Sequence, residues 1–265
     1  MIPISCFIIA KNEEQNIGRA IKSVKQICQE IILIDSGSKD KTIEIAKNLG
    51  AKVLYNTWPG YLAQKIYGES LCSNEWILNI DADEEISQNL IEEIKYIASS
   101  DMINKYKAYR INFAILCGVE EKPRLFAPKN KFIRLYNKNY VSFSRNKGLS
   151  THDDVKLDAK VQKKDIYDLN YIAYHRSWTS LSHLVEKTNF YSSQQAYALH
   201  AQNRRVSIIR LLVEFPVWTL KAFFIRRYFV FGIEGLIYSC IFAFSRFLRL
   251  AKLRELESQA QYQNN

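Results

Sequence analysis

The nine glycines of this chain include no G-x-G-x-x-G run and no G-x-x-x-x-G-K-[ST] run, so a dinucleotide fingerprint and a P-loop are both absent. Any phosphate bound here must be neutralised by side chains or metal. Cysteine is sparse: Cys6, Cys28, Cys72, Cys117 and Cys240 are scattered without a C-x-x-C pair. That spacing indicates neither a zinc knuckle nor a disulfide framework, and it suits a reducing compartment. The four histidines, His152, His175, His183 and His200, lack H-E-x-x-H spacing, which argues against a zinc site. The first residues carry no basic segment and no small-residue cleavage site, so no secretory signal is expected. Long uncharged runs are also missing. Within the C-terminal segment the longest window without Lys or Arg, Tyr228 to Ser245, holds Glu234 and two glycines in 18 residues, the lower margin for a spanning helix.

What is present begins with length and charge. A chain of 265 residues that is 48% hydrophobic has ample material for one large domain or two small ones. The net charge of +10 is concentrated: from Arg204 to Arg254 ten Lys or Arg face two acids, Glu214 and Glu234. This segment is also aromatic and apolar, a combination that suits an anionic membrane surface better than a DNA groove. No nucleic-acid partner is expected. Interfacial helices, with Arg226, Arg227, Arg246, Arg249 and Lys252 reaching toward headgroups, compete with helices packed as an ordinary core and with a re-entrant hairpin.

Along the chain, residues 4–10 read as a buried strand, and Ile17, Ala20, Ile21, Val24 and Ile27 follow at helix spacing. A second strand at 31–34, a helix through Ile43 to Leu49, a strand at 51–55, a helix at 61–72, a strand at 75–81 and a helix at 87–98 complete the pattern. Alternation of this kind predicts a parallel sheet with crossover helices. Ligands of such sheets bind beyond the carboxyl ends of the strands. Three polar clusters fall there: Asn12-Glu13, Asp35 to Asp40, and Asp81 to Glu85.

The third cluster ends the apolar stretch Trp76 to Ile80. In extended backbone, Asp81 and Asp83 point the same way, and two close carboxylates favour a hard divalent cation between them. The same residues also suit a solvated acidic turn before a helix whose first turn holds Glu84 and Glu85. An EF-hand register from Asp81 places Glu92 twelfth but puts Ile86 where the sharp turn needs glycine.

Ile8-Ile9-Ala10-Lys11-Asn12-Glu13-Glu14, Leu33 through Asp35-Ser36-Gly37-Ser38-Lys39-Asp40-Lys41-Thr42, and Asp81-Ala82-Asp83 together resemble glycosyltransferase family 2, nucleotide-sugar transferases of GT-A fold. Asn56-Thr57-Trp58-Pro59-Gly60-Tyr61 with Gln64-Lys65, and His175-Arg176-Ser177-Trp178 with the run from Glu186 to Ser192, resemble the lipopolysaccharide-core glucosyltransferase subgroup. The resemblance implies an α/β GT-A fold with a Rossmann-like, mostly parallel sheet and C-terminal membrane-interface helices. It implies a catalytic domain over 1–200, split into nucleotide-binding (1–100) and acceptor-binding (101–200) halves, then amphipathic helices over 201–255 and a polar tail over 256–265.

By the same resemblance Ala10, Asn12 and Glu13 border the nucleoside, Asp35 accepts from the base, and Gly37 belongs to the same donor-binding loop. Lys65 lies near the nucleotide or is an exposed helix lysine. Asp81 lies near ribose and metal, and Asp83 binds Mg²⁺ or Mn²⁺ bridging the diphosphate. The catalytic base is Asp153 or Asp154, where the subgroup usually has His-Glu; either is otherwise a turn acid. His152 orients that carboxylate, contacts a phosphate or is structural, and His175 is secondary. The implied reaction is inverting transfer of a hexose, glucose first, from a UDP-sugar type of donor to a lipid-linked saccharide such as lipopolysaccharide core, peripherally on the cytoplasmic membrane's inner face. The alternatives are transfer to a polyprenyl phosphate, or a non-catalytic membrane-associated nucleotide-sugar-binding protein.

Overall fold

An uninterrupted apolar run makes a strand covered on both faces, and β1 (Ile4–Ala10) is buried along its whole length. The structure is a computed structural model that describes residues 2–100, 102–116, 120–143, 155–176 and 180–263. After β1, α1 (Ile17–Val24) buries Ile17, Ala20, Ile21 and Val24, the stripe its periodicity predicts. There follow β2 (Glu30–Asp35), α2 (Thr42–Asn48), β3 (Lys52–Tyr55), α3 (Tyr61–Ser70) and β4 (Trp76–Asn79). The strands β3, β2, β1 and β4 lie side by side in that order, all parallel. Helix α3 sits so close to β1 that a Cβ on Gly68 would meet the Phe7 ring at 2.6 Å.

The chain continues through β5 (Glu84–Ile86), α4 (Gln88–Ser99), α5 (Met102–Lys105), β6 (Ala108–Ile115) and β7 (Lys129–Asn137). The two-residue strands β8 (Val141–Ser142) and β9 (Lys156–Leu157) then precede β10 (Ile166–His175). β7 pairs antiparallel with both β4 and β6, β6 runs parallel to β10, and β5 closes the edge antiparallel to β10. The result is one mostly parallel eight-stranded sheet.

This sheet and its helices form one compact unit, Met1–Ile115 with Lys129–Arg176; Leu116–Pro128 with Ser177–Asn265 form a second. The division between these two units falls after Arg176. The reason is helix α6 (Leu181–Ala201), which packs against α8 (Ile233–Gln263). Lys252 of α8 donates to the Asn189 carbonyl at 2.8 Å and to Ser192 and Ser193 on α6. The expected polar tail continues α8 as far as Gln263. Between α6 and α8 lie α7 (Ile208–Leu220), a π-helical segment (Lys221–Ile225) and a single turn (Tyr228–Phe231). Among the described residues no helix is long and apolar enough to cross a membrane.

Candidate active site

The loops after β1 and β2 are laced by reciprocal bonds between side chain and backbone. Asn12 adopts a left-handed conformation, φ 56°, which asparagine tolerates better than most residues. Its N–H donates to Ser38 Oγ at 2.9 Å, and its Oδ1 accepts from the Lys39 N–H at 2.8 Å. The Glu13 N–H donates to Thr42 Oγ1, and Glu14 exchanges bonds with Asp40 and the Lys41 N–H. Ala10 and Asp35 are register partners on β1 and β2. The expected nucleoside residues Ala10, Asn12, Glu13, Asp35 and Gly37 are therefore brought together.

Asp35 is fully buried and shapes its own loop. Its Oδ2 accepts the N–H groups of Gly37 at 2.8 Å and Ser38 at 2.9 Å, and its Oδ1 accepts the Ser38 hydroxyl. A carboxylate offers about four acceptor positions, so capacity for a further donor remains. Gly37 sits at φ 90°, a conformation that favours glycine.

Helix α3 buries a polar face: Gln64, Lys65, Gly68 and Glu69. Gln64 accepts from Asn56 at 2.7 Å and donates to Ser36 at 2.9 Å, tying α3 to the ends of β3 and β2. Lys65 is not an exposed helix lysine. It is 1% exposed, its Nζ 2.9 Å from Asp81 Oδ1.

The acidic cluster departs from the extended geometry expected of it. β4 ends at Asn79, and the Glu84 N–H donates back to the Asp81 carbonyl at 3.0 Å, so Asp81 to Glu84 form a turn and the period-two alternation does not apply. The two carboxylates accordingly face different partners. Asp81 pairs with Lys65 and, through Oδ2, with Arg134 at 2.7 Å. Burial opposes its ionisation, but these two cations hold its carboxyl far below the usual range. Asp83 lies 3.5 Å from His175 Nε2, and its carbonyl accepts the Arg176 N–H. Burial works against protonation of His175, yet Asp83, with Glu84 and Asp81 beyond, raises its pKa above the ordinary imidazole value.

Glu84 and Glu85 do not begin a helix either. They belong to β5, and α4 starts at Gln88, capped by Ser87. Glu84 is buried and accepts from Arg134 at 2.5 Å. Burial pushes its pKa up to about 6 against the pull of Arg134.

Arg134 escaped the sequence reading. Standing 7% exposed on β7, it donates to Asn79, Asp81 and Glu84 and lies over the rings of Phe113 and Phe132. The available signal was a lone arginine among the apolar residues Phe132, Ile133, Leu135 and Tyr136 of one strand. Such a charge requires an acidic partner.

Among the described residues no group of three or more His, Cys, Asp or Glu is placed to hold a metal. The Asp83 carboxylate still fits Mg²⁺ or Mn²⁺, because such ions are commonly held by one or two carboxylates plus substrate phosphates. The expected base residues Asp153 and Asp154, with His152, lie outside the described residues.

Residues 5–108 match the family described as glycosyl transferase family 2. An uncharacterized glycosyltransferase of Rickettsia typhi is 54% identical over 98% of this chain and 90% of its own length. A lipopolysaccharide core biosynthesis glycosyltransferase of Rhizobium meliloti is 28% identical over 95% of this chain and 92% of its own. Glucosyl-3-phosphoglycerate synthase from Mycobacterium tuberculosis, crystallised with Mn²⁺ and UDP-glucose, aligns over 43% of each chain at 21% identity and a TM-score of 0.35. With a full-length relative above half identity and the three strand-end motifs gathered at one edge of the sheet, the chain belongs to glycosyltransferase family 2 and carries the GT-A fold.

Proposed function

We propose that this glycosyltransferase is an inverting, metal-dependent hexosyltransferase. It moves glucose or a closely related hexose from a UDP-sugar to a lipid-linked saccharide of the lipopolysaccharide-core class, at the inner face of the cytoplasmic membrane. The observation that carries the reading is the sorting of charge at the strand ends. Asp81 is neutralised internally by Lys65 and Arg134, while Asp83 stands on the turn beside an imidazole.

In this reading the laced loops around Asp35 and Gly37 receive the nucleoside, with Ala10, Asn12 and Glu13 at its border. Asp83 would hold Mg²⁺ or Mn²⁺, and Asp81 keeps the turn in place from behind. The metal, when bound, offsets the negative charge on the departing diphosphate. Inversion requires one displacement: the acceptor hydroxyl attacks the anomeric carbon from the face opposite the diphosphate and gives its proton to a carboxylate. Asp153 or Asp154 is assigned as that base. The name of the Rhizobium meliloti relative, at 28% identity along nearly the whole chain, supports the acceptor class.

The test is to incubate the purified chain with Mg²⁺ or Mn²⁺ and a panel of nucleotide sugars, measuring nucleoside diphosphate release with and without core glycolipid. Acceptor-stimulated release from a UDP-hexose is expected. No release with any donor in the presence of glycolipid overturns the proposal.

A further inference from the structure

Helix α7 is inside out. Its large apolar residues Ile208, Ile209, Leu212, Val213, Val217 and Leu220 are exposed, Ile209 by 75% and Leu212 by 71%. Its buried face holds a charge instead. Glu214, 5% exposed, pairs with Arg246 of α8 at 3.1 Å and with Arg249 and Arg210 at 3.6 Å. The Arg246 guanidinium lies 3.6 Å from the centre of the Trp218 ring. A helix packed on a domain in water shows the reverse pattern, and apolar surface of this extent is rarely left to solvent. The exposed character continues beyond α7 through Phe224, Ile225, Phe229 and Ile233.

From this we infer that α7 and the 221–233 connection lie in the plane of an anionic bilayer surface, their exposed side chains in the acyl region and Lys221, Arg226 and Arg227 at the headgroups. The inference deepens the membrane-face reading above and rests on it. Two observations select lipid as the occupant. The segment from Arg204 to Arg254 has ten basic residues against two acids, and although Glu214 engages Arg210, Arg246 and Arg249, most of the excess stays on the surface. Exposed Arg204, Arg205, Lys221, Arg226 and Arg227 therefore complement phosphate headgroups. The geometry selects in-plane insertion over spanning: among the described residues no helix is long and apolar enough to cross a membrane.

The experiment is flotation of the full chain with vesicles of phosphatidylcholine alone and of phosphatidylcholine mixed with phosphatidylglycerol, at low and high salt. The wild type is expected to float with the anionic vesicles. Ile209→Gln with Leu212→Gln should lose at least about tenfold in partition at both salts, since buried apolar area is lost. Alanine at the same two positions, a strong helix former, should give an intermediate loss that unfolding cannot imitate. Arg226→Gln with Arg227→Gln should lose partition chiefly at low salt, where charge is unscreened.

Flotation of the glutamine pair equal to wild type overturns the inference. So does a wild type that ignores vesicles and forms a dimer which the glutamine pair dissolves, because a second copy then covers the face. Nucleoside diphosphate release from donor alone, measured on the same proteins, keeps the readings apart. Turnover without flotation sinks only this inference, and flotation without turnover of any donor and acceptor sinks only the catalytic one.

Discussion

Replacing Arg134 by methionine tests the electrostatic logic of the site most directly. The guanidinium bonds Asp81 at 2.7 Å, Glu84 at 2.5 Å and Asn79 at 3.0 Å while almost wholly buried. Methionine fills similar space but removes the cation, leaving Asp81 to Lys65 and Glu84 in a poorly solvated place. Removing one partner of a buried ion pair costs about 3–5 kcal/mol, and that is the expected loss near neutral pH.

The pH dependence sharpens the expectation. Folding raises the Glu84 pKa from 4.5 to about 6 even with Arg134 present. The folded state thus binds this proton more tightly, so the contribution of Glu84 is fully present below its unfolded pKa and is lost as pH rises through about 6. At about 1.4 kcal/mol per pKa unit, the wild-type loss is about 2 kcal/mol. Without Arg134 the folded pKa climbs further, and the deficit of the variant must be larger near pH 8 than near pH 5. Urea unfolding of both proteins at the two pH values measures it. A deficit under about 1 kcal/mol near pH 8, or one that does not change with pH, would refute the reasoning. Arg134→Lys keeps the charge but not the fork that serves three acceptors, and should fall between wild type and methionine.

Asp83→Ala should abolish metal-dependent nucleoside diphosphate release while shifting stability by no more than about 1 kcal/mol; full turnover removes Asp83 as metal carboxylate. Gly37→Ala should cost at least about 1 kcal/mol, because φ is 90° there. The added methyl meets only the Tyr55 ring at an ordinary 3.7 Å, so the effect is backbone strain, expected as a lower melting temperature and a higher donor KM. Of Asp153→Asn and Asp154→Asn, one should lower single-turnover transfer by about 10²-fold or more. Two fully active variants point to an acceptor that is already anionic.

Most of the first hundred residues are legible in the sequence because their information is local. The strands β1 and β2 are short apolar runs between helices with an apolar stripe, and each ends in a polar cluster that the parallel arrangement must place at one edge. The polar cluster from Asp35 to Asp40 was identifiable at a strand end for that reason, whereas the donor-binding roles of Asp35 and Gly37 were implied by the family resemblance. The acidic stretch was misread in geometry, since nothing local distinguishes an extended Asp-Ala-Asp from a turn. The turn is set by β5, whose partner β10 lies far along the chain, at Ala173 to His175.

The amino-acid order alone thus determined the alternation of strands and helices, the three polar strand ends and the basic, aromatic character of the C-terminal segment. Each depends on neighbours within a few positions. Tertiary structure alone decided which partners each carboxylate meets. Asp81 meets Lys65 from α3 and Arg134 from β7, and Asp83 meets His175 from β10, pairings between residues 16 to 92 positions apart that no periodicity encodes. It also decided that α7 buries its charge and exposes its apolar face, because an amphipathic pattern states that two faces differ but not which of them the neighbouring helix will cover.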